Sequence, residues 1–289
     1  MTMRIDLHTH SCFSDGTDTP TQLMLKAGQA GLDMVGLTDH DTVDGWKEAE
    51  KAVNSSGVAL IRGTEISCKA YVDGSAMGRS VHMLSYLHQG DDQGLKRLFE
   101  DVKNARTERV KKMVELLARD YRISLENVYS HAQEGVAIGR PHIADALVSA
   151  GYFTDRSECF NKVLYNGSPY YVIYCAPDVL DVIATIREAG GVPVYAHPRA
   201  SRRQKLVPID IIEQMVRAGL FGLEAYHRDH SDDEVAEVLA IARQFGIPVT
   251  GSSDYHGKGK PNRLGENLTD PAVVEAIETQ GALNIIWPR

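Results

Sequence analysis

Along the first ninety residues, short apolar runs alternate with segments of helical periodicity. The first periodic segment has clear boundaries, because Thr19 is a suitable N-cap, Pro20 takes the first helical position and Gly31 ends the pattern. The apolar runs predict strands at 3–7, 33–38, 58–66 and 80–87, and the periodic segments predict helices at 20–31 and 43–53. Alternation of this kind predicts parallel strands joined by helical crossovers.

The rhythm changes after residue 90. Apolar side chains from Leu95 to Leu117 recur at helical spacing through a long, highly charged helix. Short helical segments separated by glycines follow, up to about residue 170. We expect residues 100–170 to form an inserted, mainly helical subdomain that recognises a substrate, and residues 1–99 and 171–289 to form the main domain.

The alternation then resumes to the end of the chain. It predicts helices at 177–189, 209–218, 232–245 and 271–279, and strands at 192–196, 222–226 and 247–252. About seven strand-helix units favour a closed or nearly closed barrel over an open, doubly wound sheet. The predicted fold class is therefore α/β, a distorted (β/α)7 barrel with a small helical insertion.

Composition excludes several classes of protein. With 43% hydrophobic and 24% charged residues, the chain of 289 residues is typical of a globular protein and not of a disordered one. A net charge of −8 argues against binding to a long nucleic-acid duplex, although a short nucleotide at one local site stays compatible. No apolar run suits a membrane helix, no secretory signal is evident, and the four cysteines lack CxxC spacing, so we expect free thiols and a cytoplasmic location without membrane association.

The eleven histidines are the unusual part of the composition. His8 and His10 alternate at the end of the first predicted strand, so both imidazoles face one side and can reach one metal ion. Histidines and acidic residues recur at the ends of later strands, where the loops of a parallel barrel converge. The nine candidate metal ligands are His8, His10, Asp15, His40, Glu65, His82, His197, Asp254 and His256. Mixed imidazole and carboxylate ligands favour Mn, Fe or Zn over Mg or Ca.

The order of these motifs resembles that of the polymerase and histidinol phosphatase family, called PHP. The matching segments, between residues 4 and 266, are HTH at 8–10, SDG at 14–16, TDHD at 38–41, GTE at 63–65, His82, AHP at 196–198 and GSSDYHG at 251–257. The resemblance implies a TIM-like seven-stranded barrel that holds three divalent metal ions. It also implies a partition, with His8, His10, Glu65 and Asp254 around one ion, Glu65, His82 and His197 around a second, and Asp15, His40 and His256 around a third.

Charge counting indicates the kind of substrate that this cluster favours. Three divalent ions supply six positive charges and the three carboxylates return three, so the surplus favours an anion such as a phosphate dianion. A hydroxide held between two ions is the expected nucleophile, because metal binding lowers the pKa of water to about 7. Glu65 at the bridging position favours a phosphoesterase over a metal-dependent amide hydrolase or deaminase, many of which use a carbamylated lysine there.

The segment GRPHIA at 139–144 resembles a motif of a PHP subgroup that hydrolyses small phosphoesters, including AMP and nucleoside 3′,5′-bisphosphates. This resemblance makes Arg140 and His142 predicted substrate-binding residues. Arg199 is added as a third, because its loop follows His197 on the same face. The alternative for Arg140 and His142 is an ordinary helix start with a surface arginine. The basic residues near 202 and 258–260 are expected to be solvated, and the tyrosines at 170–174 to pack the insertion rather than stack on a base.

His227 and Asp254 are the predicted catalytic residues, Asp254 as a metal ligand and His227 as general acid to the leaving group or as a positioning histidine. The predicted function is hydrolysis of a phosphomonoester of a small nucleotide. Three alternatives stay open: a histidinol phosphatase, a 5′-to-3′ exonuclease on short single-stranded RNA, and a metal-stabilised binding module without activity.

Overall fold

Seven strands form one sheet that curves into a nearly closed barrel. The computed structural model describes residues 2–72, 78–132 and 136–289. The strands follow one another in sequence order across the sheet. They are β1 (Ile5–Thr9), β2 (Met34–Leu37), β3 (Ala59–Ala70), β4 (Arg79–Tyr86), β5 (Val192–Tyr195), β6 (Gly222–Tyr226) and β7 (Val249–Gly251). The predicted α/β barrel fold is confirmed.

The barrel closes between its first and last strands. Thr9 bridges to Tyr255, in the loop after β7, and the backbone N–H of Thr269 donates to the carbonyl oxygen of Ile5 at 2.9 Å. Closure leaves no long unpaired edge between β1 and β7, which is the general advantage of a barrel over an open sheet.

One strand runs against the others. β4 is antiparallel to both β3 and β5, whereas the remaining pairs are parallel. The prediction of parallel pairing throughout was therefore wrong at β4. Only eight residues separate β3 from β4, and a parallel connection needs a crossover of a dozen or more.

Helices surround the barrel and begin where the sequence provides caps. They are α1 (Pro20–Gln29), α2 (Trp46–Ser56), α3 (Gln93–Leu117), α4 (Leu125–Tyr129), α5 (Arg140–Ser149), α6 (Arg156–Lys162), α7 (Val179–Glu188), α8 (Ile209–Arg217), α9 (Asp232–Phe245) and α10 (Pro271–Gln280). Thr19 forms the predicted N-cap of α1, in a capping box with Gln22. Among the described residues, no helix combines the length and the apolar character needed to cross a membrane.

The barrel end remote from the histidines is filled by apolar side chains. Val274 and Ile277 of α10 pack against Ile5 and Met34 at the starts of β1 and β2. The segment after α10 continues across this end, where the backbone N–H of Leu283 donates to the carbonyl oxygen of Leu87. Filling this end leaves the other end open to solvent and available for a site.

The insertion has its own hydrophobic cluster, which the barrel does not share. α3 begins on the barrel, with Leu95 buried in the cluster around α7, and continues into the insertion, where Val110 and Leu117 are buried in a second cluster. Helices α4, α5 and α6 complete this second cluster. The expected boundary between residues 99 and 100 therefore falls inside a continuous helix.

Candidate metal centre and substrate cavity

The histidines of the first motif lie at the end of β1, where the strand is irregular. The register of β1 against β2 shifts between Asp6 and Thr9, which marks a β-bulge. A bulge re-aims the side chains that follow it and is common at barrel rims beside functional sites. His8 and His10 are fully buried, and their Nε2 atoms face each other at 3.0 Å.

A first group of ligand atoms gathers around this pair. Nε2 of His8 and Nε2 of His10 each lie 3.1 Å from Oε2 of Glu65. Oδ1 of Asp254 lies 3.6 Å from His8 and 3.4 Å from His10. The structure thus brings together four residues from β1, β3 and the loop after β7, in the grouping expected for the first ion.

Glu65 also faces a second group. Its Oε1 atom lies 2.8 Å from Nδ1 of His82 and 3.2 Å from Nε2 of His197, while its Oε2 atom lies 3.3 Å from Nδ1 of His40. His82 reaches the site because β4 is reversed, so the beginning of β4 lies beside the C-terminal half of β3. The carboxylate of Glu65 therefore stands between two sets of imidazoles.

Asp15 is the centre of a third group. Its Oδ1 atom lies 3.1 Å from Nε2 of His256, and 3.9 Å from His40 and from His10. The turn that carries Asp15 is held in place by Asp39, whose carboxylate accepts hydrogen bonds from Ser11 and Ser14. All nine predicted ligands thus lie in one region at the open end of the barrel, and all of them except the half-buried His82 are buried.

The side-chain nitrogen and oxygen atoms of these groups are better placed to bind divalent cations than to form hydrogen bonds with one another. Oδ1 of Asp15, Nδ1 of His40, Nδ1 of His82 and Nε2 of His256 are buried and have no hydrogen-bond partner among the described residues. Buried polar atoms without partners are costly unless a ligand completes them. When lone pairs of several side chains point at a common cation, their atoms lie close together without hydrogen-bond geometry. The mixture of nitrogen and oxygen ligands suits transition metals.

The protonation states of the carboxylates also favour binding of metal ions. Burial alone would raise the pKa of Glu65, but the facing imidazoles of His8 and His82 hold that pKa well below its usual range. Burial lowers the pKa of His256 to about 4, with a further contribution from the ammonium of Lys260. Ionised carboxylates and neutral imidazoles are the forms that bind metal ions. The facing carboxylates raise the pKa values of His8 and His10 despite burial, so these two rings would each release a proton on binding a cation.

Glu224 on β6 is a functional candidate that the sequence prediction missed. Its Oε1 atom lies 3.1 Å from Nδ1 of His8, and its Oε2 atom accepts a hydrogen bond from the backbone N–H of His197 at 2.8 Å. A carboxylate behind a histidine ligand fixes the ring orientation and tautomer. The available signal was an acidic residue in the otherwise apolar strand GLEAY.

His227 lies at the edge of the predicted cluster. Its Nδ1 atom accepts a hydrogen bond from the backbone N–H of Asp229 at 3.0 Å. Its Nε2 atom is buried, has no hydrogen-bond partner in the described part of the chain and lies 3.5 Å from Oδ2 of Asp254. The ring therefore presents Nε2 to the predicted ligands. This position is compatible with a general acid and with a positioning histidine, the two roles expected for His227.

A cavity of about 790 Å³ leads from the predicted ligands to the insertion. Asp15, His40 and His82 line its inner end. Basic residues line its walls, from the insertion on one side and barrel loops on the other: Arg106, Arg109, Arg140, Arg156, Arg202, Arg203, Lys205, Arg228 and Lys260. This local positive charge contrasts with the net charge of −8 for the whole chain.

Two basic loop residues expected to be solvated contact Asp254 instead. Nζ of Lys260 lies 2.7 Å from Oδ2 of Asp254, and Nη1 of Arg203 lies 3.3 Å from the same atom and 2.6 Å from Asp229. The expectation of plain surface loops was wrong for these two residues, because the loops fold inward over the cavity.

The three predicted substrate-binding residues have different positions. Arg140 lines the cavity and donates a hydrogen bond to the carbonyl oxygen of Leu164. His142 is buried at the start of α5, where its Nδ1 accepts from the backbone N–H of Gly139. Arg199 is buried against the barrel and pairs with Glu237 at 2.9 Å. Of these three residues, Arg140 is the one found among the described residues that line the cavity.

Comparison with known proteins now identifies the family. The PHP domain model matches residues 6–175, more than half of the chain. The chain belongs to the PHP domain family. Both the predicted resemblance and its subgroup are confirmed, and the chain is a metal-dependent phosphoesterase, hence a hydrolase.

Three PHP relatives match almost end to end. A phosphoribosyl 1,2-cyclic phosphate 1,2-diphosphodiesterase of Eggerthella lenta is 28% identical, over 88% of this chain and 94% of the relative. A 3′,5′-nucleoside bisphosphate phosphatase of Chromobacterium violaceum is 29% identical, over 98% of each chain. A 5′-3′ exoribonuclease of Haemophilus influenzae is 30% identical, over 93% of this chain and 95% of the relative.

A solved PHP structure supports the same fold over the whole chain. A protein from Bifidobacterium adolescentis, classed as a metal-dependent phosphoesterase, superposes with a TM-score of 0.91 and 41% identity. The match covers 97% of both chains, so the insertion is part of the shared architecture.

Proposed function

We propose that the chain hydrolyses a phosphomonoester of a small nucleotide, AMP or a nucleoside 3′,5′-bisphosphate, at a cluster of three divalent ions. The observation that carries the proposal is the convergence of nine histidine and carboxylate side chains at the inner end of a basic cavity. Mn, Fe and Zn are the metals that these ligand types favour.

The proposed ligand sets follow the three groups described above. His8, His10, Glu65 and Asp254 would hold the first ion, Glu65, His82 and His197 the second, and Asp15, His40 and His256 the third. Distances of 2.8–3.6 Å from Glu65 and Asp254 to the histidines of the first two groups support this assignment. Glu65 would bridge two ions, because its two oxygens face different imidazoles.

Divalent ions in such a cluster supply a nucleophile from water at neutral pH and neutralise charge on phosphoryl oxygens. The protein residues have separate tasks. Glu224 keeps the ring of His8 in one orientation through its carboxylate. Arg203 and Lys260 lie where they can draw a phosphate towards Asp254. His227 would give a proton to the leaving oxygen through Nε2, while its Nδ1 stays fixed by the backbone of Asp229.

The insertion, residues 100–170, would recognise the rest of the substrate. Arg140, Phe160 and Asn161 supply part of the cavity wall from this side. The volume of about 790 Å³ lies in the usual range for small-molecule sites. The relative from Chromobacterium violaceum, a 3′,5′-nucleoside bisphosphate phosphatase, supports a nucleotide as the occupant.

The test is phosphate release by the manganese-loaded protein from AMP, adenosine 3′,5′-bisphosphate and histidinol phosphate. We expect release from the nucleotides, and loss of release in His10→Ala and Asp254→Ala. Turnover of histidinol phosphate alone would replace the proposed substrate class. No release from any compound, with metal bound, would refute the proposal and favour a binding module.

A second candidate function is removal of nucleotides from the 5′ end of short RNA. The exoribonuclease relative at 30% identity favours it, as does a cavity that is open to solvent and walled by aromatic residues such as Tyr165 and Tyr171. Product analysis on a 5′-labelled trinucleotide separates the two activities. Stepwise appearance of mononucleotides indicates an exonuclease, and release of phosphate alone indicates a phosphatase.

A further inference from the structure

Asp41 directly follows the predicted ligand His40 and has a backbone conformation that is uncommon for a residue with a side chain. Its φ angle of 54° lies in the left-handed region, which residues other than glycine seldom adopt. His197 and Asp254, two predicted metal ligands, share this property. Residues of this kind cluster at functional sites and persist where surrounding contacts hold them in place. The contacts of Asp41 therefore indicate what keeps this part of the site in shape.

The carboxylate of Asp41 is fully buried and accepts hydrogen bonds from two elements. Its Oδ1 atom accepts from the backbone N–H of Ser67 on β3 at 2.8 Å, and its Oδ2 atom accepts from the hydroxyl of Ser67 at 2.9 Å. The same Oδ2 atom accepts from Nη1 of Arg106 on α3 at 2.7 Å. The barrel and the insertion therefore both support this carboxylate.

Arg106 is itself confined between the barrel and the insertion. Its side chain is 12% exposed, and its Nη1 atom also lies 3.4 Å from the hydroxyl oxygen of Ser67. A Cβ atom at Gly139, the residue before α5, would lie 2.7 Å from Nη2 of Arg106, so the start of α5 packs directly on the guanidinium group. A shift of the insertion relative to the barrel would therefore be transmitted to Asp41.

The conformation of Asp41 constrains the position of His40. The backbone N–H of Asp41 donates to the carbonyl oxygen of Glu65 at 3.1 Å, and His40 forms a parallel β-bridge with Glu65. Nδ1 of His40 lies 3.3 Å from Oε2 of Glu65, and its Nε2 atom lies 3.9 Å from Oδ1 of Asp15. A rotation of the backbone at Asp41 would move the His40 ring relative to both carboxylates.

We propose that Arg106 is a positioning residue that acts on His40 through Asp41, so that the insertion takes part in forming the third ligand set. This inference rests on the proposed function, which assigns Asp15, His40 and His256 to that set. Because Arg106 also lines the cavity, the cavity wall and the third set share one residue. By thermodynamic linkage, binding of an ion at this set and docking of the insertion on the barrel stabilise each other.

Direct binding of substrate is the alternative role for an arginine in this cavity, and two observations argue against it. The buried carboxylate of Asp41 neutralises the charge of Arg106, and the Nη1 edge of the guanidinium group is already used by Asp41 and Ser67. The two roles predict different effects of Asp41→Asn. A substrate-binding arginine would lose a competing partner and bind an anion at least as well, whereas a positioning arginine would lose the contact through which it acts.

The first experiment measures metal content by mass spectrometry after dialysis of the manganese-loaded protein against graded chelator. We expect Arg106→Met and Asp41→Asn each to lose one of three ions at roughly 10- to 100-fold lower chelator concentration, the usual effect of removing a partner behind a metal ligand. The double variant should lose this ion at about the same concentration as either single variant, because residues that act as one unit are not additive.

Two further variants complete this chelator series. Arg106→Lys should retain the ion better than Arg106→Met, because lysine keeps the positive charge that pairs with Asp41 but not the planar group packed against Gly139. Arg97→Met is the matched control, since Arg97 is an exposed arginine on the same helix and should retain metal as the wild type does.

Steady-state kinetics with AMP separates positioning from substrate binding. At limiting manganese, Arg106→Met should have a lower kcat than the wild type and an unchanged KM for AMP, because fewer molecules contain the complete cluster. At saturating manganese, its kcat should return to nearly the wild-type value. An arginine that binds substrate would instead give a raised KM that added manganese does not correct.

Three results would overturn this inference. They are equal metal retention in Arg106→Met and the wild type, additive effects in the double variant, and a raised KM at saturating manganese. A wild type that binds fewer than three ions would overturn it together with the proposed ion count. If three ions bind but no substrate releases phosphate, the proposed function fails, and the chelator series alone decides this inference. Circular dichroism establishes that each variant is folded, and Arg106→Lys with Asp41→Asn provides the test if Arg106→Met is not.

Discussion

Glu224 illustrates how a single side chain controls two predicted metal ligands at once. One of its oxygens faces Nδ1 of His8 and the other accepts from the backbone N–H of His197. Burial by itself would raise its pKa, but the facing imidazole of His8 lowers the pKa of Glu224 to about 2. The carboxylate is therefore ionised, and it holds the His8 ring so that Nδ1 faces Glu224 and Nε2 faces the other predicted ligands.

We expect Glu224→Gln to lower metal affinity by roughly 10- to 100-fold, the usual effect of replacing a carboxylate behind a histidine ligand. The neutral amide cannot hold His8 in the same protonation state. Metal content after dialysis against graded chelator, measured by mass spectrometry, checks this. Glu213→Gln, on the exposed face of α8, is the control. Unaltered metal retention in Glu224→Gln would show that the contact is not needed.

His88 lies outside the predicted cluster and gives a prediction about stability. It is fully buried, its Nδ1 lies 2.8 Å from Oγ of Ser85, and burial lowers its pKa to about 4. Protonation therefore favours the unfolded chain, in which the pKa is near 6.5. The free energy of unfolding should fall as the pH drops from about 6.5 towards 4, with a contribution of about 3 kcal/mol from this residue.

His88→Phe should reduce this acid sensitivity, because the ring still packs against Trp46 but no longer titrates. Denaturant unfolding at pH 7.0 and pH 5.0 provides the measurement. At pH 7.0 the variant should be less stable by about 1 kcal/mol through loss of the contact with Ser85. The difference between the two pH values should be smaller than in the wild type. An identical difference would mean that other groups cause the acid sensitivity.

The sequence was sufficient for residues whose position follows from strand spacing. His8, His10 and Asp254 lie at strand ends, where hydrophobic patterning and the barrel fold predict that they meet. The sequence was insufficient for Arg199 and Arg203, because both are arginines of the same basic loop and local sequence does not distinguish them. Arg203 points into the cavity and Arg199 pairs with Glu237, a difference set by tertiary packing that local composition does not contain.

Helix α6 connects the insertion to the turn that carries a predicted metal ligand. Arg156 pairs with Asp145 on α5 through two nitrogens, both at 2.6 Å, and its Nη1 donates to the backbone carbonyl oxygen of Asp15 at 2.8 Å. The guanidinium also lies so close to Gly259 that it would have to shift if Gly259 carried a side chain. Two elements of the insertion thus help to hold this turn, in addition to Asp39 of the barrel.

Arg156→Met should therefore affect the third proposed ion before the other two. We expect metal content to fall from three towards two ions per chain, or one ion to be lost at roughly 10- to 100-fold lower chelator concentration. Lys162→Met is the matched control, since Lys162 on the same helix makes an exposed pair with Glu158. Three ions retained as tightly as in the wild type would contradict this coupling.

Strand β4 shows which properties of a single strand, among its existence, its bounds and its direction, could be predicted from the sequence. Its existence and approximate bounds were correct, because the apolar run at 80–87 matches Arg79–Tyr86. Its direction was predicted wrongly, since the hydrophobicity pattern along a strand is the same in either direction. The informative signal was the short connection from β3, and the position of His82 near the beginning of β4 agrees with it.

At the scale of the whole molecule, the predicted ligands connect parts of the chain that are remote in sequence. His8 and His256 are separated by nearly the full length of the chain, yet both contribute to one buried region. Unfolding would disperse these ligands, so metal ions should bind the folded state alone.

Adding Mn, Fe or Zn to the metal-stripped protein should therefore raise its melting temperature by several degrees. At a concentration 1,000 times the Kd, one site contributes about 4 kcal/mol, and each kcal/mol shifts the melting temperature by about 2–4 °C in proteins of 150–250 residues. Differential scanning calorimetry measures the shift. His10→Ala should show a smaller one. A wild-type melting temperature that is the same with and without metal would argue against a bound cluster.

The continuous helix α3 limits how the cavity can open. Its 25 residues span roughly 37 Å at the usual rise per residue, and it packs on the barrel at one end and in the insertion at the other. A helix without a break cannot act as a hinge, so the insertion is not free to swing about residue 100. Release of product must rely on smaller movements of the connection between α6 and α7 or of the barrel loops, and the width of the entrance is largely built into the fold.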